Sequence, residues 1–238
     1  MNGLPWQIYE SELVDSTQDE AKRLAENETG IFAVRAAGQK AGRGQYGRAW
    51  LSPAGANILT TLAVPDRTVK APGILALSAG CAVARCIEQF AADVECRWPN
   101  DIYIQDKKIA GILIEYTIGW YFIGIGCNVN WPGTAEPEYK AGWTSIAAES
   151  GSYQDCSGIF TRLMTEYSRL LEWSGHEIID EYRNYWREID IAVDVLVDKT
   201  WIPSRLRGIN PDGTLEAEDA VGTKLTITSS ATLRRLSE

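Results

Sequence analysis

A segment rich in glycine and arginine carries the first residues whose types and spacing could do chemistry. Gly42-Arg43-Gly44-Gln45-Tyr46-Gly47 fits the pattern G-x-G-x-x-G, and Lys40, Arg43 and Arg48 place cations in or beside it. Glycines let backbone N–H groups approach a ligand closely, and arginine offers a planar pair of donors. The segment therefore suits a phosphate or a carboxylate. For the glycines and arginines alone, a solvated surface turn is an equally good interpretation.

Two familiar nucleotide-binding patterns do not fit this segment. In a dinucleotide-binding fold the glycines open a helix that holds the pyrophosphate, whereas here Trp50-Leu51-Ser52-Pro53 follows within a few residues. A protein kinase would need H-R-D and D-F-G motifs downstream, but the single histidine, His176, is followed by Glu177-Ile178. The single histidine also argues against paired-histidine zinc sites, and we expect it on a surface helix.

Polar residues also accompany three predicted strands. Arg97-Trp98-Pro99-Asn100-Asp101 joins an aromatic ring, a rigid bend, an amide and a carboxylate at a strand end, where chemistry is often found. Lys108 begins the apolar run Ile109–Leu113, although a lysine at such a place is more often a solvated strand end. Gly124-Ile125-Gly126-Cys127-Asn128 ends the next strand with small residues and an amide, for which a β-bulge or turn is the alternative.

The composition limits which function classes fit. The 238 residues, 45% hydrophobic and 23% charged, are enough for one large domain and one small one. A formal charge of -9 without a basic block disfavours nucleic-acid binding. No apolar run is long enough to span a membrane and Met1-Asn2-Gly3 opens no leader, so we expect a cytoplasmic protein. The five irregularly spaced cysteines are predicted to be reduced and buried.

Hydrophobic periodicity predicts the elements that must position these residues. A capping box of Thr17 and Glu20 is predicted to begin the first helix, and Pro72 precedes the second. The predicted helices cover residues 16–27, 74–90, 156–173 and 177–186. The predicted strands cover residues 31–36, 58–64, 95–98, 102–104, 109–116 and 120–127, the last four antiparallel in succession. Pro132, Gly133 and Pro137 mark a loop.

The pattern changes near the C-terminus to short β-prone pieces. These pieces cover residues 193–197, 201–207, 214–218 and 225–227, and turn residues such as Asn210-Pro211-Asp212-Gly213 separate them. Such spacing predicts a small β-barrel. A boundary near Ile189 divides the chain into a large domain of residues 1–189 and a small domain of residues 190–238.

Taken in order, these motifs resemble those of the biotin-protein ligase family. The motifs are Ser16-Thr17, the run Gln39 to Trp50, Trp98-Pro99-Asn100-Asp101, Lys108 to Leu113, and Gly124-x-Gly126-x-Asn128. W-P-N-D together with G-R-G-x-x-x-R-x-W is highly specific, and the resemblance covers Val14 to Asn130. It implies an α+β fold with a central mixed sheet flanked by helices, like that of class II synthetases. The β-rich tail resembles the family's small SH3-like barrel.

The resemblance also implies a reaction in two steps. Biotin and Mg-ATP would form biotinyl-5'-adenylate and pyrophosphate, and a lysine of a biotin carboxyl carrier protein, as in acetyl-CoA carboxylase, would then take the biotin and release AMP. Magnesium could lie near Asp101. Members that also repress transcription carry an N-terminal helix-turn-helix, for which the residues before Ser16 are too few, so no DNA-binding role is expected. The resemblance leaves a homodimer open.

Carried over residue by residue, the resemblance implies a role for each motif. Arg43, Lys108, Arg48 and Asp101 would act in catalysis. The predicted biotin-binding residues are Ser16, Thr17, Gln39, Gly42, Arg43, Trp50, Lys108, Gly111 and Gly126. The predicted nucleotide-binding residues are Arg43, Arg48, Trp50, Asn100, Lys108 and Asn128. Two positions depart from the usual pattern: Gln45, often arginine in the family, and Arg97, often lysine.

Two rival functions remain at this stage. A lipoate- or octanoate-protein ligase belongs to the same superfamily, but the intact W-P-N-D and G-R-G-x-x-x-R-x-W motifs argue against it. A sensor that binds biotin without turnover belongs to a different class. The presence of both Arg43 and Lys108 favours catalysis over sensing, because an adenylation step needs cations where two anions meet.

Overall fold

Seven strands form one mixed sheet within the residues that the computed structural model describes, 6–131 and 142–236. The strands are β1 (Gln7–Val14), β2 (Phe32–Gln39), β3 (Asn57–Pro65), β4 (Val94–Arg97), β5 (Asp101–Ile104), β6 (Lys107–Thr117) and β7 (Trp120–Asn128). Their order is β1-β2-β3-β7-β6-β5-β4, with β1 and β2 parallel and all other neighbours antiparallel. The predicted central mixed sheet is confirmed.

Helices cover both faces of this sheet. They are α1 (Thr17–Ala25), α2 (Leu75–Ile87), α3 (Ile146–Ser150), α4 (Cys156–Leu170) and α5 (Gly175–Tyr185). On one face Ala21 of α1 packs with the buried rings of Phe32 and Phe122. The other face is covered by α2, α4 and α5, which form the larger apolar core with the opposite side chains of the strands. The α+β fold with flanking helices is therefore confirmed.

Strand alternation explains where a cavity opens in this fold. Successive side chains of a strand point to opposite faces, so Trp120, Phe122, Gly124 and Gly126 of β7 share the face that α1 covers. The two aromatic residues fill the space beside α1 with their own rings, whereas the two glycines leave it to the side chains of Gln18 and Trp50 and to the cavity between them. Further along the same face, the drop in side-chain size creates room for a ligand.

The C-terminal residues form a second sheet. Its strands are β8 (Ala192–Val197), β9 (Thr200–Ile209), β10 (Leu215–Asp219), β11 (Lys224–Ile227) and β12 (Leu233–Arg235). All neighbours in the order β11-β10-β9-β8-β12 are antiparallel, as expected of a small SH3-like barrel. The division of the chain into residues 1–189 and 190–238 stays a prediction.

The start of α1 differs from the prediction. Ser16, rather than Thr17, is the N-cap: its backbone is extended, and its hydroxyl accepts a hydrogen bond from the Gln18 N–H. The predicted capping box of Thr17 and Glu20 was wrong because the Thr17 hydroxyl is used elsewhere, donating to Gln39 Oε1. The helix consequently begins at Thr17.

The remaining structural predictions concern the second helix, the cysteines, the single histidine, one loop and membrane spans. Pro72 lies in a separate 3-10 turn, so the helix predicted over 74–90 begins at Leu75. Four cysteines are buried and Cys156 is half-buried, all as free thiols, and His176 is exposed on α5. The loop predicted around Pro132, Gly133 and Pro137 lies outside the described residues. Within 6–131 and 142–236, the helices are too short or too polar to traverse a bilayer.

Candidate active site

A cavity of about 270 Å³ lies on the α1 face, where the glycines of β6 and β7 leave space. Most of the sequence-predicted site residues line it, namely Ser16, Thr17, Gln39, Arg43, Arg48, Trp50, Asn100, Asp101, Lys108, Gly111 and Gly126. They come from six different strands or loops of the large sheet and from the start of α1. Arg43 and Lys108, 65 positions apart in the sequence, therefore share one cavity, as the charge argument requires.

The part of the cavity wall around Thr17 and Gln39 is polar but uncharged. Gln39 Oε1 accepts hydrogen bonds from the Thr17 backbone N–H (2.8 Å) and from the Thr17 hydroxyl (3.1 Å). The Thr61 hydroxyl lies 2.9 Å from that of Thr17. Ser16 and Thr17 are 2% and 4% exposed, so their hydroxyls are held in place rather than solvated. Such fixed neutral donors and acceptors suit a neutral polar ligand group.

Two buried polar atoms of the cavity wall find no hydrogen-bond partner within the described part of the chain. They are Gln18 Oε1, an acceptor, and Trp50 Nε1, a donor. Buried polar groups are nearly always hydrogen-bonded in folded proteins, so an unsatisfied pair on a cavity wall indicates a ligand that supplies the partners. That ligand would carry both a donor and an acceptor.

Paired glycines form the floor of the cavity beneath the Trp50 indole. Gly111 of β6 and Gly126 of β7 face each other in register. A Cβ added to Gly126 would lie 2.4–2.8 Å from atoms of the indole, and one added to Gly111 would lie 3.1 Å from it. The ring therefore rests directly on the backbone of both strands. Any side chain at Gly126 would push it away.

Lys108 reaches the cavity because of an irregularity in strand pairing. Strict alternation would place Lys108 on the same face as Ala110 and Ile112, which belong to the opposite core. The β5–β6 register shifts between Ile102 and Tyr103, so Tyr103 pairs with Lys108 while Ile102 pairs with Ala110. This bulge brings the Lys108 side chain to the cavity face.

A carboxylate and an aromatic ring hold the Lys108 ammonium at the cavity wall. Lys108 Nζ donates to Asp101 Oδ1 at 2.6 Å and lies 5.8 Å from the centroid of the Trp50 ring. The Lys108 backbone also pairs with the segment around Trp143, donating to Gly142 O and accepting from the Thr144 N–H, both at 3.0 Å. The cation is thus positioned by its side chain and by its backbone.

Arg43 is paired with two carboxylates. Its guanidinium donates two bonds of 2.7 Å to Asp19 and two bonds of 3.2 and 3.3 Å to Glu115, which also pairs with Lys22. The hydrogen bonds that Arg43 donates to Asp19 and then to Glu115 raise its pKa above the ordinary value, so Arg43 stays charged. Burial raises the pKa of Glu115, but the hydrogen bonds from Arg43 and Lys22 lower it by more.

The Asp19–Arg43 ion pair should make a pH-dependent contribution to the free energy of unfolding. Hydrogen bonds from Arg43 lower the pKa of Asp19 below its ordinary 3.8. Because the folded-state pKa is depressed, the stabilisation is present above about pH 4 and is lost as pH falls through the folded pKa. Since Asp19 is about half exposed, we expect Asp19→Asn to lower the free energy of unfolding by at most ~1 kcal/mol at neutral pH.

Urea unfolding of the wild type and of Asp19→Asn at neutral pH and near pH 2 measures this term. The difference between the two proteins should shrink toward zero in acid. A difference of the same size at both pH values would attribute the loss to packing and not to the ion pair.

The glycine and arginine segment forms a tight hairpin. Trp50 N–H donates to Gly42 O at 2.9 Å, and Gly44 N–H donates to Arg48 O at 2.7 Å. Gly47 at the tip has a φ of 72°, which favours glycine. A Cβ on Gly42 would lie 2.7 Å from Trp50 O, so this glycine allows the two arms to approach. Gly42 shapes the hairpin but does not line the cavity.

The hairpin tip contacts the C-terminal part of the chain. The Tyr46 hydroxyl lies 2.9 Å from Ser230 Oγ, which donates to Gln45 Oε1 at 3.2 Å. Arg48 Nε donates to Gln45 O at 3.3 Å, and its guanidinium lies 5.8 Å from the Tyr46 ring centroid. The exposed Arg48 is therefore directed along the rim of the cavity.

Two of the residues predicted to bind the nucleotide, Asn100 and Asn128, lie in different surroundings. Asn100 lines the cavity, and its amide donates to Ile112 O at 2.7 Å. Asn128 is 1% exposed and lies outside the cavity wall, donating to Thr144 O and accepting from the Asn57 amide. The role of Asn128 toward a nucleotide stays a prediction.

The cavity also contains residues that sequence reasoning missed. Tyr103 and Trp143 line it, and Trp143 packs its ring 5.2 Å from Trp50. Trp143 follows the predicted loop, so a tryptophan just after a Gly/Pro-rich segment was the available signal. Asp19 and Glu115, the partners of Arg43, come from α1 and β6, and no local motif connects them.

Comparisons with known proteins agree with this site. Residues 10–130 match the family described as biotin/lipoate A/B protein ligase. A bifunctional ligase/repressor BirA of Escherichia coli K12 is 32% identical over 218 residues, covering 87% of this chain and 67% of the relative. A biotin--[acetyl-CoA-carboxylase] ligase of Paracoccus denitrificans is 31% identical over 187 residues, covering 72% of this chain and 76% of the relative.

A solved structure shares the fold over nearly the whole chain. The biotin protein ligase of Aquifex aeolicus, solved with biotin and ATP, is 27% identical and superposes with a TM-score of 0.84. The similarity covers 97% of this chain and 99% of that one, so it includes the C-terminal sheet. By sequence and by structure, the chain belongs to the biotin/lipoate A/B protein ligase family.

Proposed function

We propose that this chain is an ATP-dependent biotin-protein ligase. The observation that carries the proposal is a single cavity lined both by the neutral hydroxyl and amide groups of Ser16, Thr17 and Gln39 and by the cations Arg43, Arg48 and Lys108. Biotin needs both kinds of partner, since it carries a neutral urea and a carboxylate. Relatives and structural neighbours that are named as biotin ligases support this assignment.

In the first step a biotin carboxylate oxygen attacks the α-phosphorus of ATP. The bond from the α-phosphorus to the bridging oxygen breaks, and pyrophosphate leaves with the electron pair. Two anions must meet, so cations fixed at the point of contact lower the barrier. Lys108 is the best placed of these cations, because Asp101 holds its ammonium at the cavity wall. Arg43, held by Asp19 and Glu115, lines the same cavity.

In the second step the amine of a carrier lysine attacks the acyl carbon of the mixed anhydride. The acyl–oxygen bond breaks, AMP leaves, and the lysine nitrogen loses a proton. An acyl-adenylate hydrolyses if water reaches it, so the Trp50 and Trp143 rings, which pack against each other at the cavity, would exclude water from it. We propose a biotin carboxyl carrier protein, such as that of acetyl-CoA carboxylase, as the lysine donor.

The residues fit a magnesium ion that arrives with the triphosphate. Within 6–131 and 142–236, no group of three or more histidine, cysteine or acidic side chains could hold a metal alone. Asp101 is the carboxylate on the described cavity wall, and magnesium commonly binds through one carboxylate together with substrate phosphates. When bound, the ion would neutralise charge on the phosphates, while Asp101 orients Lys108.

The reducing cytoplasm suits this activity. All five cysteines are free thiols, and disulfides are rare where the cell keeps thiols reduced and supplies ATP. We therefore propose that the ligase works in the cytoplasm.

Pyrophosphate release with different acids tests the proposed function. With ATP present, we expect release with biotin and at most a few per cent of that rate with lipoate or octanoate, because neither acid carries a urea for Ser16, Thr17 and Gln39. Transfer to a purified biotin carrier domain, followed by mass spectrometry, should add one biotinyl group. Faster release with lipoate or octanoate would favour the rival ligase, and biotin binding without release would favour the sensor.

A further inference from the structure

The turn that leads into the cavity is held at its first residue by atoms from outside the large sheet. This turn, residues 98–100, joins β4 to β5, and Asp101, the first residue of β5, holds Lys108. Arg235 of β12 donates to Trp98 O at 3.0 Å, and the Trp98 indole N–H donates to Gly213 O at 2.8 Å. The C-terminal sheet and the connection between β9 and β10 thus contact the backbone and the side chain of Trp98, respectively.

Glu188 completes this group of contacts. Its carboxylate is 1% exposed and accepts from the Trp98 backbone N–H at 3.2 Å and from the Trp186 indole N–H at 3.0 Å. Arg235 donates to both oxygens of the same carboxylate. A carboxylate this deeply buried needs its cation, because an uncompensated buried charge is strongly unfavourable. Arg235 therefore has two fixed partners, Glu188 and the Trp98 carbonyl.

We propose that Arg235 is a positioning residue for the adenylation step, acting through Trp98 on Asp101 and Lys108. The inference rests on the proposed function only for its kinetic part. Trp98 and Asp101 are separated by Pro99, whose ring restricts the backbone, and by Asn100, whose amide is bonded to Ile112 O. A displacement at Trp98 consequently passes to Asp101 instead of being absorbed in the turn.

The geometry gives the C-terminal sheet a role in catalysis that needs no ligand contact. Small displacements of a charged group near a reacting atom have large effects on rate. Removal of Arg235 should loosen the turn and misplace Lys108. The neutral groups at Ser16, Thr17 and Gln39, nearer the β1–β2 edge of the same sheet, should keep their hydrogen bonds. The expected signature is a fall in kcat with little change in the KM for biotin.

Hydrogen exchange without substrates tests the positioning directly. In Arg235→Gln, we expect backbone amides in residues 98–104 to exchange at least tenfold faster than in the wild type, with β1, β2 and β3 unchanged. Arg207→Ala is the matched control, since Arg207 pairs with Asp190 and Glu218 and has no contact with Trp98 among its described hydrogen bonds. Unchanged exchange in residues 98–104, or equal acceleration everywhere, would overturn the proposal.

Kinetics then test whether the effect reaches the reaction. With whichever acid the wild type uses, Arg235→Gln should lower kcat for pyrophosphate release about tenfold and change the KM for the acid less than twofold. Combined with Asp101→Asn, it should lower kcat by less than a further twofold, because both changes act through the same turn. If the two substitutions together lowered kcat by the product of their separate effects, the inference would be contradicted.

A second variant keeps the test decisive if Arg235→Gln does not fold. Arg235→Lys keeps the charge beside Glu188 but loses the planar fork that reaches Glu188 and Trp98 O together. We expect it to fold with an intermediate kcat, and a wild-type kcat would overturn the proposal. If the wild type released no pyrophosphate with any acid, the proposed function would fail, and the exchange experiment would still decide the role of Arg235.

Discussion

Lys108→Ala should reduce adenylate formation by ~10²-fold or more while leaving the fold intact. Lys108 Nζ lies at the cavity wall, 2.6 Å from Asp101 Oδ1, where a carboxylate and a triphosphate would meet. A fixed cation stabilises the charge that builds up as the two anions react, and alanine removes that stabilisation. Because only about a fifth of the Lys108 side chain is exposed (22%), bulk solvent cannot fully replace it. Single-turnover pyrophosphate release measures the loss.

The neighbouring lysine provides the control for this prediction. Lys107 precedes Lys108 on β6, is exposed and lies outside the cavity wall. Lys107→Ala removes the same charge at nearly the same position and should keep adenylation within twofold of wild type. Circular dichroism and urea unfolding should show both variants folded. Normal turnover in folded Lys108→Ala would remove Lys108 from the mechanism.

Much of the site was predictable because its motifs lie at the ends of local antiparallel strands. A strand pattern with turns at Gln105-Asp106 and Ile118-Gly119 leaves little choice of pairing for β5, β6 and β7. Once these hairpins form, Asp101 faces Gly111, and Gly111 faces Gly126. Local turns and the alternation of side chains along each strand therefore align Asp101, Gly111 and Gly126 in the site. Both features can be read from the sequence.

The parts that were missed depend on contacts between distant segments. The β1 strand (Gln7–Val14) lies at a sheet edge, and its side chains are all exposed or half-buried. Its sequence therefore lacks the clear alternation of apolar and polar residues that predicts a strand. It pairs in parallel with β2, across α1, which local patterns do not reveal. The carboxylates Asp19 and Glu115 became visible as partners of Arg43 only when α1 and β6 were placed together.

The two departures from the family pattern have structural partners here. Gln45 accepts a hydrogen bond from the Ser230 hydroxyl, so the hairpin tip is attached to the 3-10 turn that precedes β12. The Arg97 guanidinium lies 4.0 Å from the Tyr103 ring centroid and pairs with Glu95 and Asp106. Arginine can stack on a ring and donate in its plane at the same time, which lysine cannot. Arg97 therefore orients Tyr103, a residue of the cavity wall.

Gly126→Ala should lower kcat/KM for biotin by ~10²-fold, because the Trp50 indole must leave the cavity floor. The new Cβ would lie 2.4–2.8 Å from three atoms of a rigid ring, well inside van der Waals contact. Neither strand can move away easily, since Gly126 is paired with Leu59 on one side and with Gly111 on the other. Overpacking of this kind also costs about 1–3 kcal/mol of stability. Steady-state kinetics and urea unfolding measure the two effects.

A smaller ring and a distant glycine distinguish this explanation from general damage to the sheet. Trp50→Phe combined with Gly126→Ala should recover part of the lost kcat/KM, because a benzene ring needs less of the floor than an indole. Gly208→Ala in β9 should have little effect on kinetics, as a Cβ there meets no described atom within 4 Å. Wild-type kcat/KM in Gly126→Ala would mean that the indole has another resting place. The two glycines would then serve strand packing and not the shape of the cavity.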